Sequence, residues 1–380
     1  MGRTTKRAKD MDRRKMANIL QDHLLSVKGY FEWQQEYRKG RGPLKTYLIE
    51  AHTPKGEGLD HRTARDLLVD LLKPTGVDVA HTEDGTLFQA SSNEVGFFFD
   101  VLDPRFWVVH TMSNVDVASD ILGTLVDQHA NLDWAWPPSE MMRAIQISGR
   151  STGFAIDYDE TRFATLDEES AVDDPDVVVK FRHRGTGAES WISKFQELAP
   201  DAMAFSMVRF AKADWNTGSS IVNELDELGR IKATGNSINL HLQSVALLLD
   251  RYRTYINQIE DIARIRVRGN ALDGYPVVFH FPKPVAQFEA FVAELLSSKE
   301  PLRIWGIPEW IRKDLVYVEG VDLHSSSRMR LDLTPSMMRV YLSANACGNT
   351  IARLVRNLQR YISSRITFTP PPADSVAVSA

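Results

Sequence analysis

The amino-acid sequence predicts an α+β fold: antiparallel or mixed sheets with packed helices, arranged as two domains plus a basic N-terminal helical arm. Three observations lead there. The apolar alternations of period two come in neighbouring groups with amphipathic stretches between them, so the strands belong to hairpins and meanders rather than to a strict β–α alternation. The chain has 380 residues, 43% hydrophobic and 25% charged, which is the balance of a soluble globular protein with room for two or three domains. The charge is lopsided: the net is −5, yet residues 1–45 hold twelve Lys and Arg against five Asp and Glu, leaving −12 on the remainder.

Taken in order, residues 8–38 read as one long helix, because Met16, Ile19, Leu20, Leu24, Val27, Tyr30 and Phe31 recur three and four apart. Two glycines and a proline in "KGRGP" end it. Residues 60–72 form a short helix stopped before Pro74. Strands follow in "EDGTLFQASS" and "VGFFFDVLDPRFWVVHTM", with turns at Asp84–Gly85 and Asp103–Pro104. A helix starts at Ser113 or Asn114 and closes at "WAWPP". Residues 153–178 carry nine acids against Arg162 and read in large part as a solvated loop, with a domain boundary near residue 170. Beyond it lie a strand in "VVVKFRH", a helix in "AESWISKFQEL", a strand in "AMAFSMVRFA" and a short helix over 219–230. A strand opening "RIKATG" precedes a long helix from about 240 to 266, with Leu248, Tyr252, Tyr255, Ile259 and Ile262 as its stripe. A strand in "YPVVFHF", a helix in "PVAQFEAFVAELLSS", three antiparallel strands between 315 and 342 and a last helix over 350–364 complete the pattern. The divisions are thus 1–45 (arm), 46–170 (first α+β domain), 171–366 (second α+β domain) and 367–380 (disordered tail).

One cysteine makes no internal disulfide and no Cys-rich zinc site, which fits a reducing, cytoplasmic location. No apolar run approaches a membrane span, and the charged start is followed by no secretory apolar stretch. Lys6 stands where an N-myristoylation pattern wants Ser or Thr. The ten histidines form no helical metal pair, so neither a metal nor a cofactor is expected.

The last helix is the first candidate site. Arg353, Arg356 and Arg360 share one side of it, and Gly348 and Asn349 open it with N–H groups suited to an anion. With Arg13, Arg14 and Lys15 of the arm they are the expected anion- or nucleic-acid-binding residues. Cys347 just before the helix reads as a buried core residue rather than a nucleophile. His183 beside the Gly185–Gly187 turn, and Asp322 and His324 on one side of a strand, are the candidates for catalysis, although the Gly-rich phosphate motifs and the G-x-S-x-G elbow are absent. Trp107, Trp134, Trp136, Trp305 and Trp310 could stack on bases, but their Pro-rich settings favour packing.

These features support a non-catalytic binding or assembly protein. Its basic arm and last helix would contact nucleic acid, a protein partner or another copy, with residues 8–38 as the contact. The alternative is an enzyme acting on a phosphate-containing substrate, a phosphodiester or nucleotide hydrolase, built from His183, Asp322, His324 and the 348–353 helix start.

Overall fold

A computed structural model describes residues 11–26, 41–53, 58–92, 95–163, 177–269 and 271–367. The fold is α+β, as expected. Among the described residues, eight helices pack on an antiparallel sheet of eleven strands and another of five, with a two-stranded ribbon beside them.

The large sheet runs β2-β3-β4-β5-β1-β11-β10-β9-β7-β8, with β6 paired to the far end of β1. Its central strand is β1 (Arg41–Ala51). The left half is β2 (Asp78–His81), β3 (Leu87–Ser91), β4 (Gly96–Asp100) and β5 (Phe106–Ser113). The right half is β11 (Ile231–Gly235), β10 (Ser219–Asp226), β9 (Phe205–Asp214), β7 (Arg150–Asp159) and β8 (Val178–Arg184), and β6 covers Leu132–Trp134. Strand alternation sorts the side chains to two faces. Tyr47, Ile49, Trp107 and Val109 face one way, into a core closed by α2 (His61–Leu72) and α3 (Val115–Asp127). Leu48, Phe106 and Val108 face the other way, into the main core under α4 (Ser139–Gln146), the 26-residue α6 (Ile238–Ala263) and α8 (Asn349–Tyr361). The small α5 (Ala188–Leu198) covers β7.

The second sheet runs β14-β18-β17-β16-β15 and closes that main core from the far side. Its strands are β14 (Val277–His280), β15 (Ile304–Arg312), β16 (Leu315–Asp322), β17 (Ser327–Thr334) and β18 (Met337–Leu342); α7 (Phe288–Leu295) packs on β15. The ribbon is β12 (Arg266–Arg268) and β13 (Ala271–Asp273). β15 is an edge strand, and Trp305, Ile307, Trp310 and Ile311 on it stand 42–64% exposed. Trp107 and Trp136 are buried, as packing requires, whereas Trp305 is half-exposed and Trp310 rests one edge on Phe288 with the rest of its ring exposed.

Three expectations need correction. The arm is not free over its described part. α1 (Arg13–Ser26) buries Met16, Leu20 and Leu24 against Leu44, Ile221, Ala233 and Ile238, so this chain itself covers the described part of the stripe that was expected to meet a partner. The remainder of the 8–38 helix lies outside the described residues, as does nearly all of the 367–380 tail. Residues 219–226 form a strand, because Ile221, Asn223 and Leu225 alternate inward; period two prevails over the helical look of "NELDEL". The turn that follows places Gly229 at φ +71°, and a side chain there would meet Ala135. The large sheet also crosses residue 170: β7 and β8 flank the acidic segment and pair from Gly153–Arg184 to Asp159–Val178. β15, α4 and β7 carried no assignment from sequence. Among the described residues, no helix is long and apolar enough to cross a membrane.

Candidate functional site

The start of α8 sits in a buried polar junction. The Gly348 N–H donates to Glu260 Oε1 at 2.8 Å, so the anion expected at this helix start is a carboxylate of the chain itself. Gly348 is required by that approach, since an added Cβ would lie 2.9 Å from Glu260 Cγ and 3.0 Å from Ile256 O. Glu260 also accepts from Arg105 and pairs with Arg264 at 2.9 Å. Asn349 donates to Trp134 O at 3.0 Å and accepts from the Tyr252 hydroxyl.

Arg353 is fully buried between Asp133 and Asp322, with 2.6 Å to each. Arg356 is buried and pairs with Glu227 at 2.6 Å; Arg360 is half-buried between Asp157 and Glu227. The expected solvent-facing basic side of the last helix is therefore inside the protein, because carboxylates from β6, β7, β16 and the turn after β10 converge on it. Arg13 is likewise engaged, with Asp100 at 2.5 and 2.8 Å and with Asp84. Arg14 and Lys15 stand exposed on α1.

The structure does unite two of the three catalytic candidates. The His324 N–H donates to Asp322 Oδ1 at 2.9 Å, and the Thr350 hydroxyl donates to Asp322 Oδ2. Asp322 is thus committed to Arg353 and Thr350. The Arg353 guanidinium holds its carboxyl below the usual range even though burial opposes this. The His324 ring is fully buried, and neither ring nitrogen has a hydrogen-bond partner among the described residues. His183 belongs elsewhere, on edge strand β8, with its ring against Phe154 and Trp191 and Nε2 3.2 Å from Thr186 O.

His52, Glu260 and Cys347 also bring one ligand atom each within 4.8 Å of one another. Guanidinium groups already supply the positive charge there: Arg264 reaches His52 Nε2 at 3.4 Å as well as Glu260, and Arg105 holds Glu260. Burial drives the His52 pKa down to about 3 and the Cys347 thiol well up, so the thiol is not a thiolate nucleophile. This junction is a charge-compensated piece of architecture.

The open chemistry lies on the other face of the large sheet, beyond α3. A cleft of about 450 Å³ is lined there by Lys45, Arg182, Arg184, Arg230 and Lys232, with Glu224, Asp226 and Glu227 between them. Strand register builds it. Lys45 on β1 lies opposite Lys232 on β11, Lys232 opposite Glu224 on β10, Glu224 opposite Arg209 on β9, and Arg209 opposite Gly153, which faces Arg184 on β8. Glu224 is shared by Arg184 and Arg209 at 3.2 Å and by Lys232 at 3.8 Å, while Asp226 holds Arg230 at 2.6 Å. Among the described residues Arg182 and Lys45 make no ion pair. Cations outnumber carboxylates along this floor.

Lys45 is 1% exposed, and its Nζ donates to Pro43 O at 2.8 Å. A buried ammonium without a carboxylate is costly. Burial first, then Arg230 and Lys232, bring its pKa down to about 7. The positive potential of the cleft is thus registered by the lysine itself.

The comparisons with known proteins can be set against this geometry. A family model for MJECL33-like proteins matches residues 5–375. The chain belongs to the MJECL33-like protein family. It is 26% identical over 361 residues to protein MJECL33 of Methanocaldococcus jannaschii, a match that covers 84% of this chain and 85% of that one. Neither name states a chemistry.

The cleft is hard to see in the sequence because its cations are dispersed over three strands and the turn before β11. The signal was present in part: Arg182 and Arg184, and again Arg230 and Lys232, stand two apart, the spacing that puts both on one strand face. Lys45, inside the apolar run "LKTYLI", was the single ion in a segment otherwise fit for burial.

Proposed function

We propose that this MJECL33-like chain binds a small anionic ligand, bearing phosphate or carboxylate groups, in the cleft between β1 and β8. The supporting observation is the lining: five cationic side chains from β1, β8, β11 and the turn before β11 around 450 Å³, with a buried lysine at the floor that has no counter-ion among the described residues. That volume falls in the range of small-molecule sites, roughly 300–1,000 Å³. An anion between Lys45, Arg182 and Arg230 would supply the missing charge, and the two arginines offer forked donors to a phosphate or carboxylate. The reading keeps the anion expected from the sequence but moves it from the last helix, whose arginines are already paired, to the sheet.

Thermal denaturation with added inorganic phosphate, pyrophosphate or citrate tests it. Ligand at a hundredfold its Kd stabilises by about 2.7 kcal/mol, a shift of several degrees. The Arg182→Ala/Arg184→Ala double variant should lose most of the shift. No shift at millimolar ligand, or an equal shift in the double variant, would remove the proposal.

A further inference from the structure

The cleft assigns Lys45 a reactive role. We propose that the Lys45 amine condenses with an aldehyde or ketone carrying a carboxylate or phosphate group, forming an imine at the floor of the cleft. This rests on the cleft being an anion site, and it adds the class of ligand and what happens to it.

Three features of the geometry carry it. Lys45 is held in one place, because it lies within the central strand, paired on both sides, and its Nζ is tied to Pro43 O. The groups around it are of the kind that keep an amine uncharged: Arg230 and Lys232 on one side, Thr111 as cross-strand neighbour on the other, and among the described residues no carboxylate paired to it. Desolvation beside another cation is the usual means of freeing a lysine lone pair at neutral pH. Finally, Arg182, Arg184 and Arg230 line the same space and would hold the acidic end of an oxo acid or a phosphorylated aldehyde while its carbonyl meets Nζ.

The step balances without any further reagent. The Nζ lone pair adds to the carbonyl carbon and gives a carbinolamine. The C–O bond then breaks, and both amine hydrogens leave with the oxygen as water, so that Nζ=C replaces C=O and nothing is oxidised or reduced. A nucleophile near neutrality is the functional explanation for a buried lysine that costs the fold stability.

The test is reductive trapping. The full chain is incubated at pH 7 with pyruvate or glyceraldehyde 3-phosphate and cyanoborohydride, and the adduct is located by peptide mass. The expected result is a stoichiometric adduct at Lys45, formed at least about tenfold faster than at exposed lysines near their ordinary pKa of about 10.4. Inorganic phosphate should slow it, and Lys45→Arg, which keeps the charge, should abolish it. An adduct spread over surface lysines overturns the proposal. So does the absence of an adduct while phosphate still stabilises the protein, a result that leaves the anion site standing. Absence of both the adduct and the phosphate effect removes the two together.

Discussion

Lys45 is a residue at which this chain gives up stability. The unfolded chain protonates it near 10.5, but in the folded protein it holds its proton only below about 7. Protonation therefore favours the unfolded state. The penalty is complete below about pH 7, fades as the pH rises from there toward 10.5 and is gone above it. Replacing Lys45 by Met should raise stability at pH 6 by on the order of 2–4 kcal/mol, with a gain that shrinks toward pH 10. Urea melts across that range measure it. A variant equally destabilised at every pH would show that the lysine is compensated after all. The same variant should lose the phosphate-induced shift, which would separate stability from binding in one side chain. A single buried ion in an apolar segment is visible in a sequence. Its neighbours Arg230 and Lys232 are not, since they reach it only through pairing across β1 and β11.

The elements show a similar division. Helices α2, α3, α6 and α8 were legible because apolar periodicity is local, as is the Asn114 cap of α3; the Asp60 and Ser237 caps emerge only in the structure. The exposure of α8 was not. Its arginines read as a solvated face, since nothing in residues 349–361 reveals that Asp133 and Asp322 come from strands far away in the chain. Taking out Arg353 leaves two buried carboxylates without their partner. Arg353→Leu should cost about 3–5 kcal/mol in chemical denaturation. A cost under about 1 kcal/mol would mean that water already reaches the junction. On the opposite side of β1, Thr46 lies between His110 Nδ1 at 2.8 Å and His241 Nε2 at 2.7 Å, and His241 Nδ1 meets Asn223 Oδ1 at 2.8 Å. The Asn oxygen accepts, so His241 Nδ1 carries the proton, Thr46 donates to Nε2 and in turn accepts from His110. This chain of bonds fastens α6 to the centre of the sheet with both imidazoles neutral. Burial lowers the two pKa values to about 4 and 3. Its contribution to stability is present above pH 6.5 and is lost as the pH falls from there toward 4.

At the scale of the whole molecule, the α+β class followed from the grouping of strands, whereas the domain division did not. A boundary was placed where composition turns acidic, yet β7 and β8 on either side of that segment pair along their length. Composition locates a segment that does not pack; it does not tell whether the chain returns to the same sheet afterwards. The sheets also end differently. β15 is bridged on its outer edge at Trp305 by Ser297 but leaves that edge open beyond it, beside Ile307, and its middle residue, Pro308, has no N–H to offer. Seen from a neighbouring molecule in a concentrated solution, β15 is a sticky ribbon with one missing rung. Pro308→Val would complete the rung, and light scattering should then show association that grows with concentration while the dilute protein keeps its melting temperature. An unchanged scattering profile would place the safeguard elsewhere on the strand, with Glu309 and Arg312 as the remaining charges. The colloidal behaviour of this chain would thus be governed by one imino acid.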